Sequence, residues 1–232
     1  MKRMWMAPLA IAAALTVGCN RTDNGTSARA GDANAPAAAG TSGRTEVSSA
    51  DRDFVQDVSR MNAAEIDLSR LAATRASSPD VKQFAQKLVD EHTAAGAKLS
   101  GVATQNGLQT AADIDDAHRK LHDDLAGKQG LDFDKGYIDA MIDDHNKMVD
   151  KLESRIDKTT IERRSGDAAN AGASSDTSPK VDMKAQSVLP EKSDNEVTAR
   201  VNAWAADAYP DTYAHLQQAK SLHDTLKKRS TH

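Results

Sequence analysis

Residues 51–99 read DRDFVQDVSRMNAAEIDLSRLAATRASSPDVKQFAQKLVDEHTAAGAKL, and this stretch decides the fold class. Apolar residues recur in it at spacings of three and four, up to Ala76 and again after Ser78-Pro79-Asp80. That period is typical of a helix with one buried face, and serine followed by proline is typical of a helix start. The stretch therefore predicts two consecutive amphipathic helices, at about 50–76 and 78–106.

The same period continues along the rest of the domain. It predicts a short helix from Ala112 to Ala126, a long helix from Leu131, and another from Ser193, where Glu196 completes a capping-box pattern. Strand-like runs of Val, Ile, Thr and Tyr are missing. We therefore expect an all-α protein, with the four long helices forming an antiparallel four-helix bundle.

The amino terminus has the features of an export signal. Lys2 and Arg3 precede an apolar run, Met6–Val17, of 12 residues. That run is too short to span a bilayer, which takes about 20 residues, but it suits a signal peptide. It ends at Leu15-Thr16-Val17-Gly18-Cys19, which contains the chain's one cysteine. We expect residues 1–19 to be a signal peptide.

The segment before Cys19 resembles a bacterial lipobox, in which the cysteine is acylated and becomes the new amino terminus. The resemblance implies lipid attachment at Cys19, with a membrane as the partner. Asn20 follows, not the aspartate that often retains such lipoproteins in the inner membrane, so we expect the periplasmic face of the outer membrane. The alternative is an ordinary secretory signal with an incidental cysteine.

Composition sets the remaining boundaries. Residues 20–48 and 159–192 are rich in Gly, Ala, Ser, Thr and Asp. We therefore expect a disordered tether at 20–48, followed by a domain at 49–228 that contains a disordered insertion at 159–192.

The net charge is −4, and no basic patch is interleaved with aromatic residues. These features argue against nucleic acid as a partner, and nothing in the sequence indicates a protein partner.

Four strings point to a known family: AAEIDLSRLA at 63–72, DEHT at 90–93, FDKGYIDAMIDDH at 133–145 and YPDTYAHLQQA at 209–219. In this order they resemble the bacterial domain-of-unknown-function family 4142. That family is regarded as ferritin-like, and its members are often described as outer-membrane proteins. The resemblance covers about 51–158 and 193–222 and implies a ferritin-like helical fold, without implying an activity.

Each long helix carries one potential metal ligand on its apolar stripe: Glu65, His92, His145 and His215. Glu65 precedes Ser77 by 12 residues and His92 follows it by 15, so their heights differ by about 5 Å at 1.5 Å per residue. His92 precedes Gly107 by 15 residues, and His145 follows Gly130 by 15. We therefore expect three of the groups in one layer, with His215 joining them if its helix is in register.

Two interpretations of this layer remain open. One carboxylate and three imidazoles would suit zinc, iron or copper, and Met141, Met148 or Tyr137 could add further donors. Alternatively, the layer is a structural set of buried polar groups that holds the helices in register without a metal. Ferritin-type di-iron chemistry is disfavoured, because the Glu-x-x-His pairs of such sites are missing.

The remaining histidines give weaker signals. His118 and His122 are four residues apart on a highly charged helix, where a solvated pair is favoured over a chelating one. His223 and His232 are expected at the surface. The sequence has no phosphate loop, nucleophile elbow or paired-cysteine motif, so no catalytic residue is assigned and an enzymatic role is disfavoured.

Overall fold

The structure, a computed structural model, describes residues 46–111, 113–161 and 188–229. The predicted signal peptide, Cys19, most of the tether, the centre of the insertion and His232 lie outside the described residues. Within them, the prediction of an all-α protein is confirmed. The main helices are α1 (Ser49–Arg75), α2 (Pro79–Gln105), α3 (Asp116–Ala126), α4 (Gly130–Glu153) and α5 (Glu196–Arg229), and residues 158–161 are also helical.

Two of the helix starts differ from the predicted ones. The short helix α3 begins at Asp116 and not at 112, because the Asp115 side chain accepts the His118 backbone N–H and caps the helix there. Before α5, Asn195 provides the cap in place of Ser193, since its side chain accepts from the backbone N–H groups of Val197 and Thr198. The predicted capping box is therefore wrong.

The core consists of two apolar clusters, and each long helix contributes to both. One contains Val58 of α1 and Leu99 of α2, and the other contains Leu68 and Leu88 of the same helices. Along the chain, α1 thus passes from the first cluster to the second, and α2 returns. Helices α4 and α5 likewise supply residues to both clusters, which leaves a layer between them at mid-height.

Long-range polar contacts connect the helix ends. The Asp134 carboxylate on α4 accepts the backbone N–H groups of Ser77 and Ser78, at 2.8 Å each, and so caps the start of α2 from another helix. The buried Asp51 carboxylate on α1 accepts from Arg155, which follows α4, at 2.6 Å and from Thr198 on α5 at 2.7 Å. These contacts fix the register of helices that are distant in sequence.

The segments predicted to be disordered have ordered ends. Residues 188–192 pair with the chain after α4: Asp157 N–H donates to Leu189 O at 2.8 Å, and Val188 is buried. At the amino-terminal side, Val47 packs against the first cluster. Apolar contacts made far along the chain order these ends, although their own sequence lacks a periodic pattern. In the described part of the chain, no helix combines the length and the apolar character that a membrane-spanning segment needs.

Candidate metal centre

The four predicted ligands come together in the layer between the two apolar clusters. They lie on α1, α2, α4 and α5, one residue to a helix. Glu65 and His145 have no exposed surface, and His92 and His215 are 5% and 2% exposed. All four therefore face inward, as the positions of their apolar neighbours three and four residues away require.

The donor atoms are close to one another. The ring centroids of His92, His145 and His215 are 5.4 Å apart in each pair, and one nitrogen from each lies within 4.8 Å of the others. Glu65 Oε2 lies 3.1 Å from His92 Nε2, and Oε1 lies 3.5 Å from His145 Nδ1. Two nitrogens each about 2.1 Å from one ion are at most about 4.2 Å apart, so the rings would have to move slightly closer to share an ion. The group whose ligand atoms lie within 4.8 Å of one another consists of the three histidines without Glu65.

Each imidazole uses one ring nitrogen to hold its orientation. His92 Nδ1–H donates to Asn62 Oδ1 at 3.0 Å, and His145 Nδ1–H donates to the Met141 carbonyl at 2.9 Å. His215 Nε2–H donates to the Glu91 carboxylate at 2.5 Å. In these tautomers the second nitrogen of each ring is unprotonated and carries a lone pair.

The second nitrogens are buried and unsatisfied. His92 Nε2, His145 Nε2 and His215 Nδ1 have no hydrogen-bond partner among the described residues, and neither do the two carboxylate oxygens of Glu65. Buried polar atoms are nearly always hydrogen-bonded, and five exceptions in one layer require an explanation. Histidines that bind metals show this arrangement, because the N–H opposite the metal donates to an acceptor that fixes the ring.

Burial also sets the protonation states. It lowers the pKa of all three histidines, that of His145 to about 4, and the proximity of the rings lowers the pKa of His92 further. Burial raises the pKa of Glu65 well above its usual value, and the charge of Asp144 adds to this effect. At neutral pH the imidazoles are therefore neutral, with lone pairs available to a cation.

Sequence reasoning missed the groups that orient the histidines. Asn62 lies three residues before Glu65 on α1, so helical spacing could have indicated that they share a face. Glu91 lies next to His92 in sequence but contacts His215 from another helix, a relation that no local pattern shows. Gly96 makes room for the Asn62 side chain, since a Cβ at position 96 would lie 2.7 Å from Asn62 Nδ2.

The three additional donors suggested by the sequence have other contacts. The buried Tyr137 hydroxyl hydrogen-bonds to Ser69 Oγ at 2.8 Å. Met141 Sδ lies 4.0 Å from the same Ser69 oxygen, and the Met141 carbonyl holds His145. Met148 is buried in the first apolar cluster and lines a cavity beside His92. These contacts account for the positions of all three side chains without a metal.

The comparison with protein families agrees with the resemblance noted in the sequence. The family described as "Domain of unknown function (DUF4142)" matches residues 36–163, more than half of the 232-residue chain. The chain belongs to the DUF4142 family. The part that matches DUF4142 includes Glu65, His92 and His145, whereas His215 follows it. No curated protein and no solved structure matches the chain.

His118 and His122, on the short helix of this DUF4142 protein, contact different carboxylates. His118 is 14% exposed and contacts two carboxylates, Asp115 at 2.8 Å and Asp144 at 3.3 Å, so the prediction that it is solvated is wrong. Hydrogen bonding to Asp144 raises the pKa of His118. His122 instead contacts Asp67 at 2.6 Å. His223 is partly exposed at 40%, close to the predicted surface position.

Proposed function

We propose that the protein binds one transition-metal ion with Glu65, His92, His145 and His215, and that it sequesters or handles that metal in the cell envelope. The observation that carries the proposal is the set of five buried donor atoms without a hydrogen-bond partner among the described residues, in a layer whose three rings are each held by an acceptor. Resistance to metal stress would be a natural role for such a protein.

The donor set narrows the choice of metal. Imidazole nitrogen suits zinc, copper and iron, and a single carboxylate added to three imidazoles leaves the centre with charge +1 when the ion is divalent. Magnesium and calcium prefer oxygen donors and are disfavoured. A second nearby carboxylate, Asp144, adds negative charge and is itself paired with Lys147 at 3.0 Å.

The second candidate function is a structural or interaction module without a metal. The 3.1 Å separation of Glu65 Oε2 and His92 Nε2 favours it, because a proton on the Glu65 carboxyl group would remove the repulsion between these two acceptors without a metal. A buried polar layer of this kind can hold helices in register. Under this alternative, the fold presents a helical surface in the envelope, and the four residues contribute only to stability.

Metal content separates the two candidates. The protein is purified without added chelator from its native compartment, and its bound metals are quantified by mass spectrometry. We expect close to one equivalent of zinc, copper or iron in the wild type. In a His145→Ala variant we expect a small fraction of that amount. A metal-free wild type that does not take up any of the three ions on titration would favour the structural module.

The architecture we propose is an antiparallel four-helix bundle of ferritin-like type. The passage of α1 from the first apolar cluster to the second, and the return of α2, support opposite directions for these two helices. The segment from Glu46 packs through Val47 against the domain, so we propose a tether that ends near residue 45 and an insertion between Ile161 and Val188.

We also propose that Cys19 carries the lipid that holds the protein at the outer membrane, with the domain in the periplasm. The apolar run of 12 residues before it and the lipobox-like ending support this proposal. Several acyl chains, at about 0.8 kcal/mol for each buried CH₂, would hold the domain firmly. Membrane fractionation of a Cys19→Ala variant is the test. If that variant is still acylated and requires detergent for extraction as the wild type does, the anchor is elsewhere.

A further inference from the structure

A cavity of about 140 Å³ lies beside the four-residue site, lined by residues of α1, α2, α4 and α5. His92 and His215 form part of its wall, whereas Glu65 and His145 do not. From this cavity the site is approached past two of its four donors. A space of this size accommodates several non-hydrogen atoms, since one water molecule needs about 10–15 Å³ on the same measure.

The wall of the cavity has two chemical parts. Apolar side chains form most of it, including Ala95 of α2 and Trp204 and Ala208 of α5. The polar part is acidic, because three carboxylates share it with one ammonium group. These charged residues are Glu91, Asp207, Asp211 and Lys98. Asp207 and Asp211 are exposed, so the negative potential lies toward solvent.

This arrangement suits two kinds of ligand, a metal cation and a small neutral molecule. The acidic mouth attracts a metal cation on its way to the histidines and repels small anions. The apolar part of the wall favours an uncharged molecule, because transferring a charge next to apolar side chains costs free energy. A molecule that binds beside the metal from this side is therefore neutral and small, with one donor atom toward the ion.

We infer that the metal keeps a coordination position that faces this cavity, and that this position takes a small neutral molecule with one nitrogen or oxygen donor atom. The inference rests on the proposed function, since it requires a bound ion. It goes beyond sequestration, because sites that only store or stabilise are closed, whereas sites that act on a ligand keep a position open.

The test uses the mature full-length protein loaded with Co²⁺, whose visible absorption spectrum reports changes in coordination. Imidazole is added at pH 8, where it is mostly neutral, and azide serves as a small anionic probe. We expect a saturable spectral change with imidazole, with a midpoint at least tenfold lower than for azide. The ratio of cobalt to protein after desalting should not change.

Variants that fill the cavity locate the binding position. Ala95→Leu and Ala208→Leu add volume from two different helices, so that one variant decides the matter if the other does not fold. Ala97→Leu, at an exposed position of α2 away from the cavity, is the matched control. We expect both filled variants to bind Co²⁺ as the wild type does and to bind imidazole at least tenfold more weakly. The control should bind both normally.

The outcomes separate this inference from the proposed function. A wild-type protein that does not bind cobalt, zinc, copper or iron overturns the proposed function, and the inference falls with it. Bound cobalt without a spectral change, azide binding as tight as imidazole binding, or an unchanged response in the folded filled variants overturns the inference alone. Extraction of cobalt by imidazole also overturns it, since the ligand would then compete with the protein and not bind beside it.

Discussion

His92 Nε2 and Glu65 Oε2 lie 3.1 Å apart in the core, in an orientation that does not make a hydrogen bond. Two lone-pair acceptors at this separation repel each other, and the low dielectric of the interior strengthens the repulsion. A proton on the carboxyl group removes it, and so does a cation bound to both atoms. Substitution of Glu65 and the dependence of stability on pH distinguish these two states.

Replacing Glu65 by Gln should abolish metal binding without destabilising the metal-free protein. Burial raises the pKa of Glu65 and so favours a neutral carboxyl group in the metal-free fold, which an amide resembles in size and charge. With metal at a hundred times its dissociation constant, the wild type should gain about 2.7 kcal/mol and the variant nothing. Urea denaturation with and without a chelator measures both effects.

The matched control is Glu196→Gln, at an exposed position on α5, which should behave as the wild type. If the layer is purely structural, Glu65→Gln should instead lower the free energy of unfolding by about 1–3 kcal/mol, equally with and without metal. That result would contradict the metal site.

The stability of the metal-free protein should depend on pH through Glu65. Its folded pKa lies above the usual value of 4.5, so between these two pKa values the folded state binds a proton that the unfolded chain has lost. The free energy of unfolding of the wild type should therefore fall, relative to Glu65→Gln, as the pH rises above about 4.5. Denaturation at several pH values in the presence of a chelator measures this difference.

The three buried histidines change the free energy of unfolding with pH in the opposite direction. Burial lowers their pKa below 6.5, so the unfolded chain takes up protons that the folded protein does not as the pH falls below that value. This term is common to the wild type and Glu65→Gln and cancels in their difference. If the difference in the free energy of unfolding between the wild type and Glu65→Gln does not change between pH 4.5 and 8, Glu65 is ionised in the metal-free protein.

Removing the carboxylate of Glu91 should weaken metal binding although Glu91 is not a proposed ligand. It accepts from His215 Nε2–H and so fixes the ring with Nδ1 toward the site, while Lys87 holds the carboxylate at 2.7 Å. Loss of such a partner lowers metal affinity by about 10–100-fold. Competition titration of Glu91→Ala against a chelator of known affinity gives the value. Asp90→Asn, the neighbouring exposed position, should have no effect.

Asp51→Asn should destabilise the fold by about 3 kcal/mol, because Arg155 would remain largely buried without its carboxylate. Burial alone would raise the pKa of Asp51, but the hydrogen bonds from Ser48, Thr198 and Arg155 outweigh it, and the pKa is lowered. The stability that the carboxylate contributes is therefore present above pH 3.8 and lost as the pH falls through the lowered pKa. The exposed Asp53→Asn is the control.

Several features of the fold could be predicted because they depend on neighbours in sequence. Ser48 caps α1 through such a local contact, since its Oγ accepts from Asp51 N–H three residues later. The start of α5 was placed two residues early, because Ser193 and Asn195 offer similar caps and local sequence does not rank them. The start of α2 was predicted correctly at Ser78-Pro79, but the group that caps it was not. Ser78 makes no side-chain cap, and Asp134 of α4 satisfies the backbone N–H groups there.

The amino-acid sequence by itself determined that the chain is helical and which face of each helix is buried. It also indicated that Glu65, His92 and His145 lie at a common height, because helical rise and period depend only on residue spacing. Only the tertiary structure decided that His215 joins them and which nitrogen of each ring is left available. Those outcomes depend on how α5 packs against the other helices, and such contacts follow from shape and burial across the whole core.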